Sequence, residues 1–216
     1  LLPCAIHEVF RIERCAERLI AHAWPYEKFL RAFEDELATA AERCVAFKTI
    51  VAYRSGLAVT AWPEGAVAAA YRGAVGRAAL GPVRLTEKPL LDTLVLATLP
   101  VARRSRRPLQ IHTGFGDPDI DLPLANPALL RPLLEGPEGA DVTMVLLHMA
   151  YPYFREAAFM TAVWPHVHLD LSLALPFLGP GVVAPLTEVF ALAPASKLLY
   201  GSDLSALPEL FALSAV

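Results

Sequence analysis

Short runs rich in β-branched and aliphatic residues alternate with longer stretches of helical periodicity along nearly the whole chain, which is the pattern of βα units wound around one parallel sheet. Six runs read as strands: Ala5 to Ile12, Val45 to Tyr53, Leu109 to Thr113, Val142 to His148, Val167 to Ser172 and Lys197 to Tyr200. Between the first two, Phe29, Phe33, Leu37 and Ala41 recur at helical spacing over Glu27 to Arg43. Acidic residues take the other side, so this stretch predicts a surface helix laid on the sheet. Pro63 to Leu80 and the stretch from Glu87 predict two more helices before the third strand. With 216 residues, 55% of them apolar, the chain can bury one sizeable core, and its length argues for a single domain over residues 1–216.

Charge narrows the range of partners. Only 19% of residues are charged and the formal net charge is −3, so neither nucleic acid nor an anionic membrane is an expected partner. The run Arg103-Arg104-Ser105-Arg106-Arg107 reads as solvated cations at a helix end rather than as a polyanion patch. A nearly uncharged stretch after Asp170 is broken by Pro176, Gly179, Pro180, Gly181 and Pro185, and predicts no membrane span. Three cysteines, Cys4, Cys15 and Cys44, have no paired short spacing and suit a reducing, cytoplasmic setting. The chain opens on Leu1-Leu2-Pro3 without a methionine, and the expectation is that it begins within a longer protein.

Parallel barrels carry their chemistry at the carboxyl ends of the strands, so polar residues that close apolar runs are informative. His112, His148 and Asp170 end such runs, and Asp203 follows the last one. Two imidazoles and a carboxylate from separate strand ends form a ligand set for zinc or a similar divalent ion. A lone histidine in such a place is more often structural, but the combination of His112, His148 and Asp203 points to a site. Lys48 lies inside VAFKTIV, where its ammonium needs a partner such as Glu13 or a route to the strand end.

Tyr53, Arg54, Asp117, Asp119, Asp121, Tyr151, Tyr153 and Arg155 sit in the following loops, where side chains face substrate. An arginine there suits a substrate carboxylate, although pairing within the protein is the commoner outcome. His7, His22, His166 and His168 read as structural.

The stretches FKTIVAYRSGL, LQIHTGFGDPDIDL, NPALLRPLLE, LLHMAYPYFREAAF, HLDLSL and APASKLLYGSD, in that order, resemble the amidohydrolase-related branch of the amidohydrolase superfamily, some of whose members are fused to a glutamine-synthetase-like domain. The resemblance implies an α/β fold, a (β/α)₈ TIM barrel, with about strands 3–8 present. It implies one or two divalent ions, zinc foremost. By the same resemblance His112 is the fifth-strand ligand and His148 the sixth-strand histidine, a catalytic residue that binds metal or supports the developing oxyanion. Asp203 is the eighth-strand aspartate that binds metal and handles the water's proton, and Lys48 occupies the fourth-strand position that is carbamylated in two-metal relatives. Tyr53, Arg54, Tyr151, Arg155 and Asp170 are then the substrate-binding candidates.

The departure is that no His-x-His precedes His112; His166-Val167-His168 has that spacing but belongs to the penultimate strand. The expected activity is hydrolysis of an amide, a γ-glutamyl compound among the options, or of an ester of a small molecule. The alternatives are non-oxidative decarboxylation on the same metal and a non-catalytic interaction module. A second copy of the chain or a glutamine-synthetase-like domain is the expected macromolecular partner.

Overall fold

In the computed structural model, residues 5–203 are described, which leaves Cys4 outside the described residues. Six strands form one sheet in chain order, every neighbouring pair parallel: β1 (Val9–Arg11), β2 (Ala46–Thr49), β3 (Leu109–Ile111), β4 (Met144–Leu146), β5 (Val167–Asp170) and β6 (Leu198–Leu199). The crossovers carry α1 (Ile12–Ile20) and α2 (Tyr26–Arg43), then α3 (Glu64–Ala78) and α4 (Lys88–Ser105), then α5 (Arg131–Glu135), α6 (Phe154–Val163), and finally α7 (Ala174–Leu178) with α8 (Val183–Leu192).

Register sorts the side chains into two faces. Phe10, Phe47, Leu109, Met144 and Val167 stand side by side across five strands and are all buried in the core against the helices. The next residue on each strand, Arg11, Lys48, Gln110, Val145 and His168, points the opposite way, as the two-residue period of a strand requires. Arg11 of β1 and Asp203 beyond β6 line one cavity of about 430 Å³, so the sheet curls until its two ends share a hollow. This is the architecture of a (β/α)₈ barrel, of which six strands are present among the described residues where eight close the ring. Among the described residues, β1 and β6 are each paired on one side only.

All six strands are shorter than the apolar runs that predict them, the first two most of all. Ile12 opens α1 immediately after β1, because Ile12, Ala16, Leu19 and Ile20 recur at helical spacing and are buried. β2 stops at Thr49, and residues 51–53 form a 3₁₀ turn that carries Tyr53 and Arg54 toward the hollow. Glu13 on α1 accepts hydrogen bonds from the Thr49 hydroxyl (2.5 Å) and the Ile50 amide (2.9 Å), so it is not the partner of Lys48. Thr49 and Lys48 are adjacent on a strand and face opposite sides of the sheet, which puts the lysine out of reach.

Arg103 and Arg107 of the arginine run are held locally, while Arg104 and Arg106 are exposed, as expected of solvated cations. Arg103 donates to the carbonyls of Pro137, Glu138 and Ala140, and Arg107 to that of Ala41. Residues 174–192, with mean hydropathy 1.5, are long and apolar enough to cross a membrane by length and composition. Their helix is interrupted at Gly179 (φ +50°, ψ −133°), and Glu188 within them pairs with Arg155.

Two outcomes follow for stability. Phe33 is fully buried in α2, and Phe33→Ala should lower unfolding free energy by about 3–5 kcal/mol in urea titrations. Burial pushes the Glu13 carboxyl above its usual range, so the folded chain holds more protons than the unfolded one between pH 4.5 and the folded value. Stability from this group therefore falls as pH rises through that window. Relative to Glu13→Gln, the urea midpoint of the native chain should decline as pH rises above 4.5; a constant difference would show that Glu13 does not titrate in this way.

Candidate functional site

The row of inward residues at the carboxyl ends of the strands holds Ile50, His112, Leu147, Asp170 and Leu199, all of which line the hollow. His148 comes one residue after an inward position and by alternation would turn toward the helices. It is redirected by three consecutive residues in left-handed conformation, His148 (φ +67°), Met149 (φ +53°) and Ala150 (φ +48°), a backbone state that costs about 1–3 kcal/mol per non-glycine residue and persists only where packing enforces it. All three are buried, and the Thr113 hydroxyl donates to Leu147 O at 2.6 Å beside them. The turn swings the His148 ring back over the strand end to meet His112.

His112 and His148 then join a continuous line of polar contacts. His112 Nε2 donates to Phe115 O (3.1 Å), and its Nδ1 faces His148 Nε2 at 3.0 Å. His148 Nδ1 lies 3.0 Å from Ser172 Oγ, which in turn contacts Asp170 Oδ2. Asp170 Oδ2 also accepts from the amides of Ser172 (3.2 Å) and His148 (3.4 Å). Burial first, then the neighbouring His148 and the Lys48 cation, push His112 down to about 3. Burial and Lys48 push His148 down to about 3, so both rings are neutral near pH 7.

Proton counting shows what this line can accommodate. It ends on a carbonyl oxygen at one side and a carboxyl at the other. With Asp170 ionised, Ser172, His148 and His112 bring one hydrogen each to four contacts. The contact left without a hydrogen can be the one between His112 Nδ1 and His148 Nε2, where two lone pairs then face each other and a cation is required. The other solution places a proton on Asp170, whose carboxyl burial raises. Two imidazoles on a tetrahedral zinc, at about 2.0–2.1 Å each, sit about 3.3 Å apart, close to the spacing found here.

Asp203 Oδ2 stands 3.7 Å from the same His148 Nε2. The donor set therefore suits a divalent ion, although no three His, Cys, Asp or Glu side chains among the described residues already close into a coordination group.

Lys48 and Asp203 line both the cavity under Tyr53 and a second one, of about 340 Å³, that reaches His148 and Asp170. The Tyr53 ring lies 4.2 Å from that of His112 and its hydroxyl accepts from the Asp117 amide (3.1 Å); burial pushes this phenol up to about 12. Gly116 makes that placement possible, since a Cβ there would collide with the Tyr53 hydroxyl. Arg54 reaches the same cavity while held by Glu17 (3.3 Å) and Leu85 O (3.4 Å). Asp117 lines it too, whereas Asp119 is taken by Arg84.

Three candidates stand in places other than those expected. Arg155 is not brought to the hollow: it lies in the first turn of α6, exposed, and its guanidinium is gripped by Glu188 of α8. Tyr151 packs between Phe115 and Phe154, and its carbonyl accepts from the Phe115 amide (2.6 Å), so it supports the loop whose carbonyl holds His112. Asp170 lines the second cavity, but its Oδ2 is engaged by Ser172 and the His148 amide. Ser172, the Phe115 carbonyl and Gly116 were missed from the sequence; for Ser172 the available signal was its position two residues after Asp170, which returns it to the same side.

A family model described as amidohydrolase matches residues 14–209. Protein fluG of Emericella nidulans is 35% identical over 200 residues, a match that covers 88% of this chain and 23% of fluG. A crystal structure from Lactobacillus casei, of a protein assigned as a metal-dependent hydrolase, superposes with a TM-score of 0.88 at 36% identity, covering 97% of this chain and 55% of that one. Uronate isomerase from Thermotoga maritima shares the fold alone, with a TM-score of 0.58 at 13% identity over 94% of this chain and 47% of its own. The chain thus spans less than two thirds of each of these relatives, and with its parallel barrel sheet and strand-end histidines it belongs to the amidohydrolase family.

Proposed function

We propose that in the whole protein His112, His148 and Asp203 hold a divalent metal ion, and that the site hydrolyses an amide or ester bond of a small molecule. The observation that carries this reading is the pair of neutral ring nitrogens facing each other at 3.0 Å with the Asp203 carboxylate beside them. Two nitrogens and an oxygen suit zinc. When bound, such an ion supplies a water acidic enough to ionise near neutral pH and polarises the scissile carbonyl.

The chain's own residues do the rest. Asp203, its side chain 44% exposed and facing both cavities, accepts the water's proton at its carboxylate and delivers it to the leaving amine or alkoxide. Tyr53 covers His112 and keeps bulk water from that ring. Arg11 and Lys48 line the cavity floor with no ion pair among the described residues, which favours a substrate bearing a carboxylate, such as a γ-glutamyl compound. In a two-metal alternative Lys48 is instead carbamylated and becomes a ligand.

The same cationic lining favours a second reading, non-oxidative decarboxylation, in which carbon dioxide is released instead of an amine or alcohol. A non-catalytic module remains the reading from another class, since six described strands leave the ring open. The remainder of a longer protein, a second copy or a glutamine-synthetase-like domain would cover the β1 and β6 edges. Cys15 and Cys44 are free and buried, consistent with a reducing cytoplasmic setting.

Purified protein should carry about one divalent ion per chain by plasma emission spectrometry, and a His112→Ala, Asp203→Ala double variant should carry none. A folded, metal-free native sample would favour the non-catalytic module. On an ester or amide that the full protein turns over, Asp203→Asn should lower kcat by about 10²–10⁴-fold. Near-normal turnover in that variant would remove Asp203 from the proton transfer.

A further inference from the structure

Ser172 has no part in the reaction just described, yet it touches the ring on which that reaction depends. It is 4% exposed, and a small buried residue at a strand end commonly serves only as filler. A filler hydroxyl usually returns its hydrogen to a backbone carbonyl, as Thr98 and Thr161 do in their helices. Ser172 instead bridges a ring nitrogen and a carboxyl: its Oγ is 3.0 Å from His148 Nδ1 and in contact with Asp170 Oδ2.

Asp170 is itself immobilised, accepting from the amides of His148 and Ser172. Gly201 walls in the pair from the β6 side. A Cβ at that position would stand 3.2 Å from Asp170 Oδ1 and 3.3 Å from Ser172 Cβ, so the absence of a side chain there lets β6 close against both.

An imidazole can turn over about its Cβ–Cγ bond and exchange the places of its two edges. At His148 only one of the two orientations leaves Nε2 toward His112 and Asp203, and it is the one in which Nδ1 rests on Ser172. We propose that Ser172, backed by Asp170, is a positioning residue that fixes the orientation and tautomer of His148, so that its Nε2 lone pair is presented to the metal. With the ion bound, Nδ1–H donates to Ser172 Oγ and the hydroxyl donates to Asp170, a carboxylate–histidine support with a serine inserted in it. The inference rests on the metal-binding reading of the preceding section.

The test compares the native full chain with Ser172→Ala, after near-ultraviolet circular dichroism has shown both to be folded. Zinc affinity is measured by chelator competition, and the Nδ1-bound proton of His148 is followed by nitrogen-15 magnetic resonance in the zinc-loaded samples. Ser172→Ala should weaken zinc binding by about 10–100-fold, and the Nδ1 proton resonance, slow to exchange in the native chain, should vanish. Unchanged affinity together with a retained resonance would overturn the role of Ser172 and leave the metal-binding reading standing. If the native chain takes up no zinc, both fall.

Discussion

Everything at this site hangs on the parallel register of the sheet. Because neighbouring strands run the same way with Phe10, Phe47, Leu109, Met144 and Val167 abreast, one face presents a continuous apolar row to the helices. The two-residue period then obliges the opposite face to gather the intervening side chains in the hollow. Lys48 and Gln110 fall in one layer there, and His112 and Asp170 in the next, because each strand reaches the same level at its carboxyl end. A slip of one residue in β2 or β5 would bury the Lys48 or Asp170 charge among the helices and turn apolar side chains into the cavity.

Within that frame the His112–His148 pair is held from both sides by groups that limit where hydrogens can go. The Phe115 carbonyl can only accept, and it is carried by a loop that Tyr151 pins through its own carbonyl. On the other side Asp170 and Ser172 occupy His148 Nδ1. The rings are buried and neutral, so their facing nitrogens offer lone pairs rather than charge. This is an arrangement suited to a cation, and its cost in buried polarity is offset by a hydrogen-bond partner at almost every step. The membership in the amidohydrolase family and the likeness to the Lactobacillus casei protein agree with that reading of the geometry.

Residues whose role depends on position along a strand were legible in the sequence. His112 and Asp170 close apolar runs, and alternation alone puts them on the inner face; His168, two residues before Asp170, falls on that face one layer nearer the strand's start. Helix α2 was equally legible from Phe29, Phe33 and Leu37. Residues whose role depends on what a loop does were not. Arg155 follows His148 closely in sequence, yet α6 begins at Phe154 and directs the guanidinium to Glu188 on the outer surface. His148 reaches the site only through a left-handed turn that no periodicity announces.

By itself the sequence determined the parallel α/β architecture, the order of its strands and the level at which polar side chains would emerge, since each follows from local periodicity and the stereochemistry of crossovers. Tertiary structure alone decided which of those side chains meet. That Lys48 is free of Glu13, that Ser172 lies between Asp170 and His148, and that Gly201 leaves room for both are contacts between residues on different elements. Such contacts are set by the curl of the sheet and the packing of its loops, which residue spacing along the chain does not encode.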